Sequence, residues 1–117
     1  RHFWGLVVER YEAQQKTGPA YPMEMHVLRI GGLAVATNPF ELYTNYGIQI
    51  KARSPAEQTL LVQLAAPRDF GYYVPTPRAL RGGGYSAEIT HNLVGPKGAQ
   101  VLVDRTVQAI AALWPSE

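Results

Sequence analysis

Two short apolar runs, separated by a segment long enough for one helix, most constrain the fold of this chain. Residues 33–36 are apolar at successive positions, which predicts a strand covered on both faces near the centre of a sheet. Residues 58–65 contain the second run, which predicts another buried strand. Strands joined by a helix pair in parallel through a right-handed crossover. We therefore predict an α/β fold whose mixed sheet contains a right-handed βαβ unit and carries helices on both faces.

The segment between the two runs carries helix signals at both ends. Asn38 suits the N-cap position, Pro39 suits the first helical position, and Glu41 stands where it could complete a capping box. These residues predict a helix that begins at Asn38. The helix should end before Pro55, because the residue that precedes a proline is disfavoured in the α conformation.

Three further segments complete the predicted domain, which we take to be a single unit over residues 1–117. Gly31-Gly32 predicts a tight hairpin between a strand in residues 23–30 and the strand at 33–37. Apolar periodicity predicts an opening helix from about Phe3 and a closing helix that begins at Pro96. Residues 67–94 show turn chemistry without sustained periodicity, and segments of this kind often carry function.

Composition removes several classes of function. The 117 residues contain no cysteine, which excludes disulfides and thiolate sites. Eleven Lys and Arg residues against nine Asp and Glu give a net charge of +2, too small to indicate a nucleic-acid partner. The sequence has neither a serine-hydrolase elbow nor a phosphate-binding loop. No apolar run approaches the roughly 20 residues that a membrane-spanning helix needs.

Polar and aromatic residues follow both apolar runs, and they define the candidate site. Sites in open α/β sheets form beyond the carboxyl ends of parallel strands. If the two strands are neighbours, their following loops bring five side chains to one edge: Asn38, Glu41, Tyr72, Tyr73 and Thr76. His91, in the later glycine-rich region, is a further candidate. Structural roles remain open for the same residues, since Asn38 and Glu41 suit a helix cap and Thr76 suits a turn.

Four motifs occur in a fixed order: residues 36–42 (Ala-Thr-Asn-Pro-Phe-Glu-Leu), residues 50–55 (Ile-Lys-Ala-Arg-Ser-Pro), Tyr73-Val74-Pro75-Thr76 and Gly83-Gly84-Tyr85. Together they resemble the C-terminal part of bacterial proteins related to neutral/alkaline non-lysosomal ceramidase. The resemblance runs from about Tyr21 to Trp114. It implies that the chain is the C-terminal part of a longer protein and a fragment of that protein's catalytic domain.

The resemblance also implies a chemistry, namely zinc-dependent hydrolysis of an amide bond. In that family two histidine ligands come from the N-terminal part of the protein, and a glutamate and a tyrosine come from the later part. Tyr73 matches the tyrosine that binds the metal, whereas Asn38 stands at the position of the glutamate. Glu41 is the nearest carboxylate, so we expect Tyr73 and Glu41 to be the catalytic residues.

The partners expected from the resemblance are the missing N-terminal part of the parent chain and a small-molecule amide or lipid substrate. Zinc is expected in the parent and not in the isolated chain, which should be inactive. Relatives in the family are often exported, which favours a periplasmic or extracellular location. An isolated lobe would expose apolar surface, so self-association as a homo-oligomer is also expected.

A second interpretation is a noncatalytic domain that binds a small ligand or joins subunits. It follows from Asn38, because a neutral amide oxygen is a poorer ligand for a divalent cation than a carboxylate. In either interpretation, Asn38, Tyr72, Thr76 and His91 are the predicted substrate-binding or ligand-binding residues.

Overall fold

The computed structural model describes residues 2–66 and 71–115, and it describes side chains from Trp4 onward. Four helices lie in these ranges: α1 (His2–Thr17), α2 (Thr44–Arg53), α3 (Pro77–Gly82) and α4 (Pro96–Ala112). The strands are β1 (Val27–Ile30), β2 (Leu33–Thr37), β3 (Glu41–Leu42), β4 (Gln58–Val62) and β5 (Tyr73–Val74). Two 3₁₀ turns span Tyr85–Ala87 and Ile89–His91.

A three-stranded mixed sheet in the order β1-β2-β4 forms the centre of the fold. β1 and β2 are antiparallel and are joined by the predicted Gly31-Gly32 hairpin, in which Gly31 adopts a φ of 60°. β2 and β4 are parallel, and Ala34 lies opposite Thr59. β3 and β5 form a separate two-stranded parallel sheet. The predicted mixed α/β class and the central position of β2 are therefore confirmed.

One face of the three-stranded sheet carries the core. Ala34 and Ala36 of β2 are buried, and their small side chains allow helices to approach the strand closely. The buried residues of α2 and α4 join them in one cluster: Tyr46, Ile50, Ala99, Leu102, Val103 and Ile110. α4 begins at Pro96, as predicted, and buries Thr106 with the same stripe. Both long helices that follow β2 therefore pack on the same side of the sheet.

The opposite face of the sheet is not covered by described residues, so the expectation of helices on both faces is not confirmed. Leu28 is 56% exposed and Ile30 is 63% exposed, and Leu60 and Val62 of β4 are also exposed. The prediction that β4 is a buried strand is wrong, because only Thr59 is buried in it. α1 packs against the second 3₁₀ turn and not against the sheet. Arg10 of α1 makes this contact, because its guanidinium donates to the carbonyl oxygens of Ile89 and Asn92 at 3.0 Å each.

The prediction that a helix begins at Asn38 is wrong. The Asn38 Oδ1 atom accepts the Phe40 N–H at 2.9 Å, which closes a local turn, and the chain then continues in the extended conformation as β3. α2 begins only at Thr44 and ends before Ser54-Pro55, as predicted. The same asparagine side chain can cap a helix or close a turn on itself, so the sequence pattern did not separate the two outcomes.

Residues 71–94, which showed no sustained periodicity, contain β5, α3 and both 3₁₀ turns.

Arg29 of β1 links the residues that follow α4 to the sheet. Its guanidinium lies 4.4 Å from the Trp114 ring centroid and donates to the Leu113 carbonyl oxygen at 2.6 Å. Among the described residues, no helix combines the length and apolar character needed to cross a bilayer.

Candidate functional site

Glu41 and Tyr73 lie side by side at the edge of the fold where the parallel strands end. β3 follows β2 after a short turn and pairs in parallel with β5, which brings Glu41 opposite Tyr73. The Glu41 N–H donates to the Tyr72 carbonyl oxygen at 2.9 Å. The two side chains are close enough for the charge of the Glu41 carboxylate to act on the Tyr73 phenol. The two residues predicted to be catalytic are therefore neighbours across the β3–β5 pair.

Their side chains line a cavity of about 380 Å³. A second polar pair in its wall is formed by Tyr43 and Ser86, whose hydroxyl oxygens are 2.5 Å apart. Gln63 is also part of the wall, and its Oε1 atom accepts the Leu42 N–H. The remaining wall residues are Leu42, Thr44 and Leu64. The cavity thus combines one carboxylate with several hydroxyl groups and an amide.

Leu64 in this wall has an unusual backbone conformation. Its φ is 57°, in the left-handed region that non-glycine residues seldom occupy. Its N–H donates to the Phe40 carbonyl oxygen at 3.4 Å, which keeps the segment after β4 against the turn before β3. Backbone outliers of this kind cluster at functional sites, where the surrounding structure maintains them. The conformation supports the assignment of this cavity as the candidate site.

The environment of Tyr73 raises the pKa of its phenol above 10.0, the usual value for tyrosine. The main cause is the negative charge of Glu41, which disfavours a phenolate beside it. Partial burial and the neighbouring Tyr85 act in the same direction. At neutral pH, Tyr73 is therefore a protonated hydrogen-bond donor.

Replacing Glu41 by glutamine should lower the pKa of Tyr73, because the substitution removes the charge that opposes ionisation. The measurement is a pH titration of Tyr73 by NMR of chains with labelled tyrosine rings. Glu57→Gln is the matched control, since Glu57 lies beside Gly32 at the opposite end of the sheet. An unchanged Tyr73 pKa in the Glu41 variant would show that the two side chains do not interact in solution.

The raised pKa also gives stability a pH dependence. The unfolded chain loses the Tyr73 proton at a lower pH than the folded chain does. The contribution of Tyr73 to the free energy of unfolding is therefore complete below pH 10, and it declines as the pH rises through the pKa that Tyr73 has in the folded chain.

The other predicted site residues lie elsewhere. Asn38 is buried and serves the turn before β3. Thr76 caps α3, where its hydroxyl oxygen accepts the Ala79 N–H at 3.2 Å. Tyr72 and His91 line a different cavity of about 410 Å³ against α1. None of these four residues lines the cavity of Glu41 and Tyr73. Their positions therefore do not support a ligand-binding role in that cavity.

His91 is connected to the candidate site indirectly, through an aromatic contact. Its ring centroid is 4.0 Å from that of Tyr85, and the Tyr85 centroid is 6.1 Å from that of Tyr73 in an edge-to-face arrangement. Asn92 fixes the same region, because its Nδ2 atom donates to the carbonyl oxygens of Tyr73 and Ser86. The glycine-rich segment is thus attached to β5.

Sequence reasoning did not select Tyr43, Gln63, Tyr85 or Ser86 as site residues. Tyr43 had a usable signal, because it follows Glu41 by two residues and an extended segment places such residues on one face. That signal was obscured by the helix predicted from Asn38. Gln63 reaches the cavity because it follows β4, which pairs with β2, and Ser86 reaches it because its 3₁₀ turn contacts β5. No local sequence pattern indicates either of these long-range contacts.

Glu41 and Tyr73 offer two oxygen ligands to a metal ion. Catalytic zinc sites generally use three protein ligands, most often with histidine among them. Among the described residues, no group of three His, Cys, Asp or Glu side chains could hold a metal ion. The described part of the chain therefore does not form a complete zinc site, and additional ligands would have to come from outside it.

Comparisons of the chain with protein-family models, with curated proteins and with solved structures found no match. The resemblance to ceramidase-related proteins thus depends on the four sequence motifs alone.

Proposed function

We propose that this chain is the C-terminal lobe of a ceramidase-like, metal-dependent amide hydrolase and is inactive alone. The observation that carries the proposal is the pairing of Glu41 with Tyr73 in segments that follow the carboxyl ends of β2 and β4. These two side chains were selected from sequence by their motifs, and they line one cavity. Open α/β folds place their active sites beyond the carboxyl ends of parallel strands.

In this proposal, Glu41 takes the place of the carboxylate that the family pattern puts at Asn38. Asn38 is buried in a turn, whereas Glu41 reaches the cavity beside Tyr73. The protonated Tyr73 hydroxyl is suited to donate a hydrogen bond to the oxyanion that forms when an amide carbonyl is attacked. Glu41 orients that hydroxyl and can accept a proton from an incoming nucleophile.

The zinc ion and the two histidines belong, in this proposal, to a site completed by the N-terminal part of the parent. The uncovered apolar face of the sheet supports a missing partner, because Leu28, Ile30, Leu60 and Val62 are exposed together. We propose that β2, α2 and β4 form a right-handed crossover unit within that larger domain. In the isolated chain the same face would favour self-association. Export of the parent is part of the same proposal.

A second candidate function is a noncatalytic domain that binds a small ligand. The observation that favours it is the structural role of Asn38, together with the incomplete set of metal ligands in the described residues. In this case the cavity of Glu41 and Tyr73 would bind the ligand, and no zinc ion or catalysed reaction would be involved.

The test is to measure zinc content and N-acyl amide hydrolysis in the parent protein and in the isolated chain. We expect stoichiometric zinc and hydrolysis in the parent, and neither in the chain alone. A parent that binds no zinc at saturating concentration and hydrolyses no N-acyl amide would contradict the hydrolase proposal. Its lack of activity would then favour the small-ligand alternative.

A further inference from the structure

The cavity of Glu41 and Tyr73 has an unbalanced negative charge. Glu41 has no ion-pair partner among the described residues. None of the residues that line the cavity is Lys, Arg or His. A carboxylate in such a position attracts a cation and repels anions such as phosphates and carboxylates. The charge of the site therefore restricts the class of ligand it can accept.

The first turn of α2 is the main opposing influence on this charge. Thr44 lines the cavity, and the N-terminal end of a helix carries a partial positive charge. This charge is equivalent to about half an elementary charge, whereas an ionised carboxylate carries a full one. The sign at the cavity therefore remains negative at neutral pH.

Aromatic rings accompany the carboxylate. Tyr43 and Tyr73 are part of the cavity wall, and Tyr85 packs edge-to-face against Tyr73 with 66% of its surface exposed. Tyrosine rings attract organic cations through their negative faces, and groups of such rings bind quaternary ammonium ions in other proteins. A small, strongly hydrated inorganic cation gains much less from aromatic surroundings than an alkylated ammonium ion does.

We propose that the cavity formed by Glu41, Tyr43, Tyr73 and Ser86, with Tyr85 at its margin, binds the substituted ammonium group of an organic amine. The carboxylate of Glu41 pairs with the positive charge. The hydroxyl oxygens of Tyr43 and Ser86 accept hydrogen bonds from the ligand, and Tyr85 contacts its alkyl groups. The volume of about 380 Å³ is sufficient for a small amine. This inference extends the small-ligand alternative and requires neither zinc nor hydrolysis.

The test uses the complete 117-residue chain and two probes of nearly equal shape, choline and its uncharged analogue 3,3-dimethyl-1-butanol. The readout is the change in backbone amide NMR signals at constant ionic strength. We expect saturable shifts with choline at residues 41–44, 73 and 85–86, and no saturable shifts with the uncharged analogue. Absence of saturable choline shifts, or equal binding of both probes, would overturn the proposal.

Variants separate the charge from the aromatic contribution. Glu41→Gln should weaken choline binding by about tenfold or more, because it removes the paired charge. Tyr85→Leu should weaken it by a few-fold, whereas Tyr73→Phe keeps the ring and should have a small effect. Glu57→Gln is the control for the removal of a remote carboxylate. Unchanged binding in the Glu41 variant would contradict the proposed site, and the comparison of the two probes remains decisive if that variant does not fold.

This binding test and the hydrolase test can fail independently. Choline binding is measured on the isolated chain, and zinc and amide hydrolysis are measured on the parent. If choline does not bind, the hydrolase proposal can still be judged from the parent. If the parent neither binds zinc nor hydrolyses amides, the amine-binding proposal can still be judged from the isolated chain.

Discussion

Replacing Phe40 by alanine is expected to lower the free energy of unfolding by about 3–5 kcal/mol, the range found when a buried phenylalanine is truncated in a core. Phe40 is 1% exposed and contacts the Tyr21 ring, with 5.7 Å between the two centroids. It also forms part of the wall of a neighbouring cavity of about 630 Å³, next to Leu102 of α4. The truncation would enlarge that cavity by the volume of the ring, and the enlarged cavity adds to the cost of the lost burial.

The measurement is equilibrium unfolding in urea, monitored by circular dichroism, for the unchanged chain and the variant. Ile48→Ala is the control, since Ile48 is an exposed residue of α2 and its truncation should change stability far less. A domain of this size is stable by about 5–15 kcal/mol, so the Phe40 variant should lose a large part of its stability. A loss below about 1 kcal/mol would indicate that Phe40 is not packed in the core as described.

Replacing Tyr73 by phenylalanine in the parent is expected to lower kcat for N-acyl amide hydrolysis by about 10²–10³, the cost of removing one oxyanion donor. The substitution keeps the aromatic ring and removes only the hydroxyl, whose pKa the Glu41 carboxylate raises. KM should change much less, because the lost interaction is made mainly in the transition state. The measurement is steady-state kinetics on a chromogenic N-acyl amide.

Tyr72→Phe is the matched control for this prediction. Tyr72 is the preceding residue in sequence, but its side chain lines the other cavity, against α1. We expect kcat to be nearly unchanged in the control. Equal rates for the unchanged parent and the Tyr73 variant would remove this hydroxyl from the mechanism.

Much of the fold could be predicted from local sequence signals. Gly31-Gly32 identified the hairpin because few residues adopt the backbone angles it needs, and Pro55 and Pro96 identified a helix end and a helix start because proline restricts the backbone. Asn38 was misleading because its side chain can either cap a helix or close a local turn. The uncovered face of the sheet could not be predicted, since residues 33–36 are apolar whether or not a second layer covers them.

The candidate site was predictable in part. Glu41 and Tyr73 were selected from motifs, and the structure pairs them across β3 and β5 in the wall of one cavity. The sequence could not show which of the adjacent residues Tyr72 and Tyr73 lines the cavity. Only the pairing of β3 with β5 determines which ring faces it. Ser86 depends on the path of the chain through the glycine-rich segment, where sequence patterns give little information about distant neighbours.

The order β1-β2-β4 has a consequence for how the chain folds. β1 and β2 are adjacent in sequence, so their hairpin closes a short loop and can form on a timescale of about 1–10 μs. β4 can pair with β2 only after twenty intervening residues have been folded back, which costs more chain entropy. We therefore expect the hairpin to be the early template and the docking of β4, together with the assembly of Glu41 beside Tyr73, to be the late, rate-limiting event.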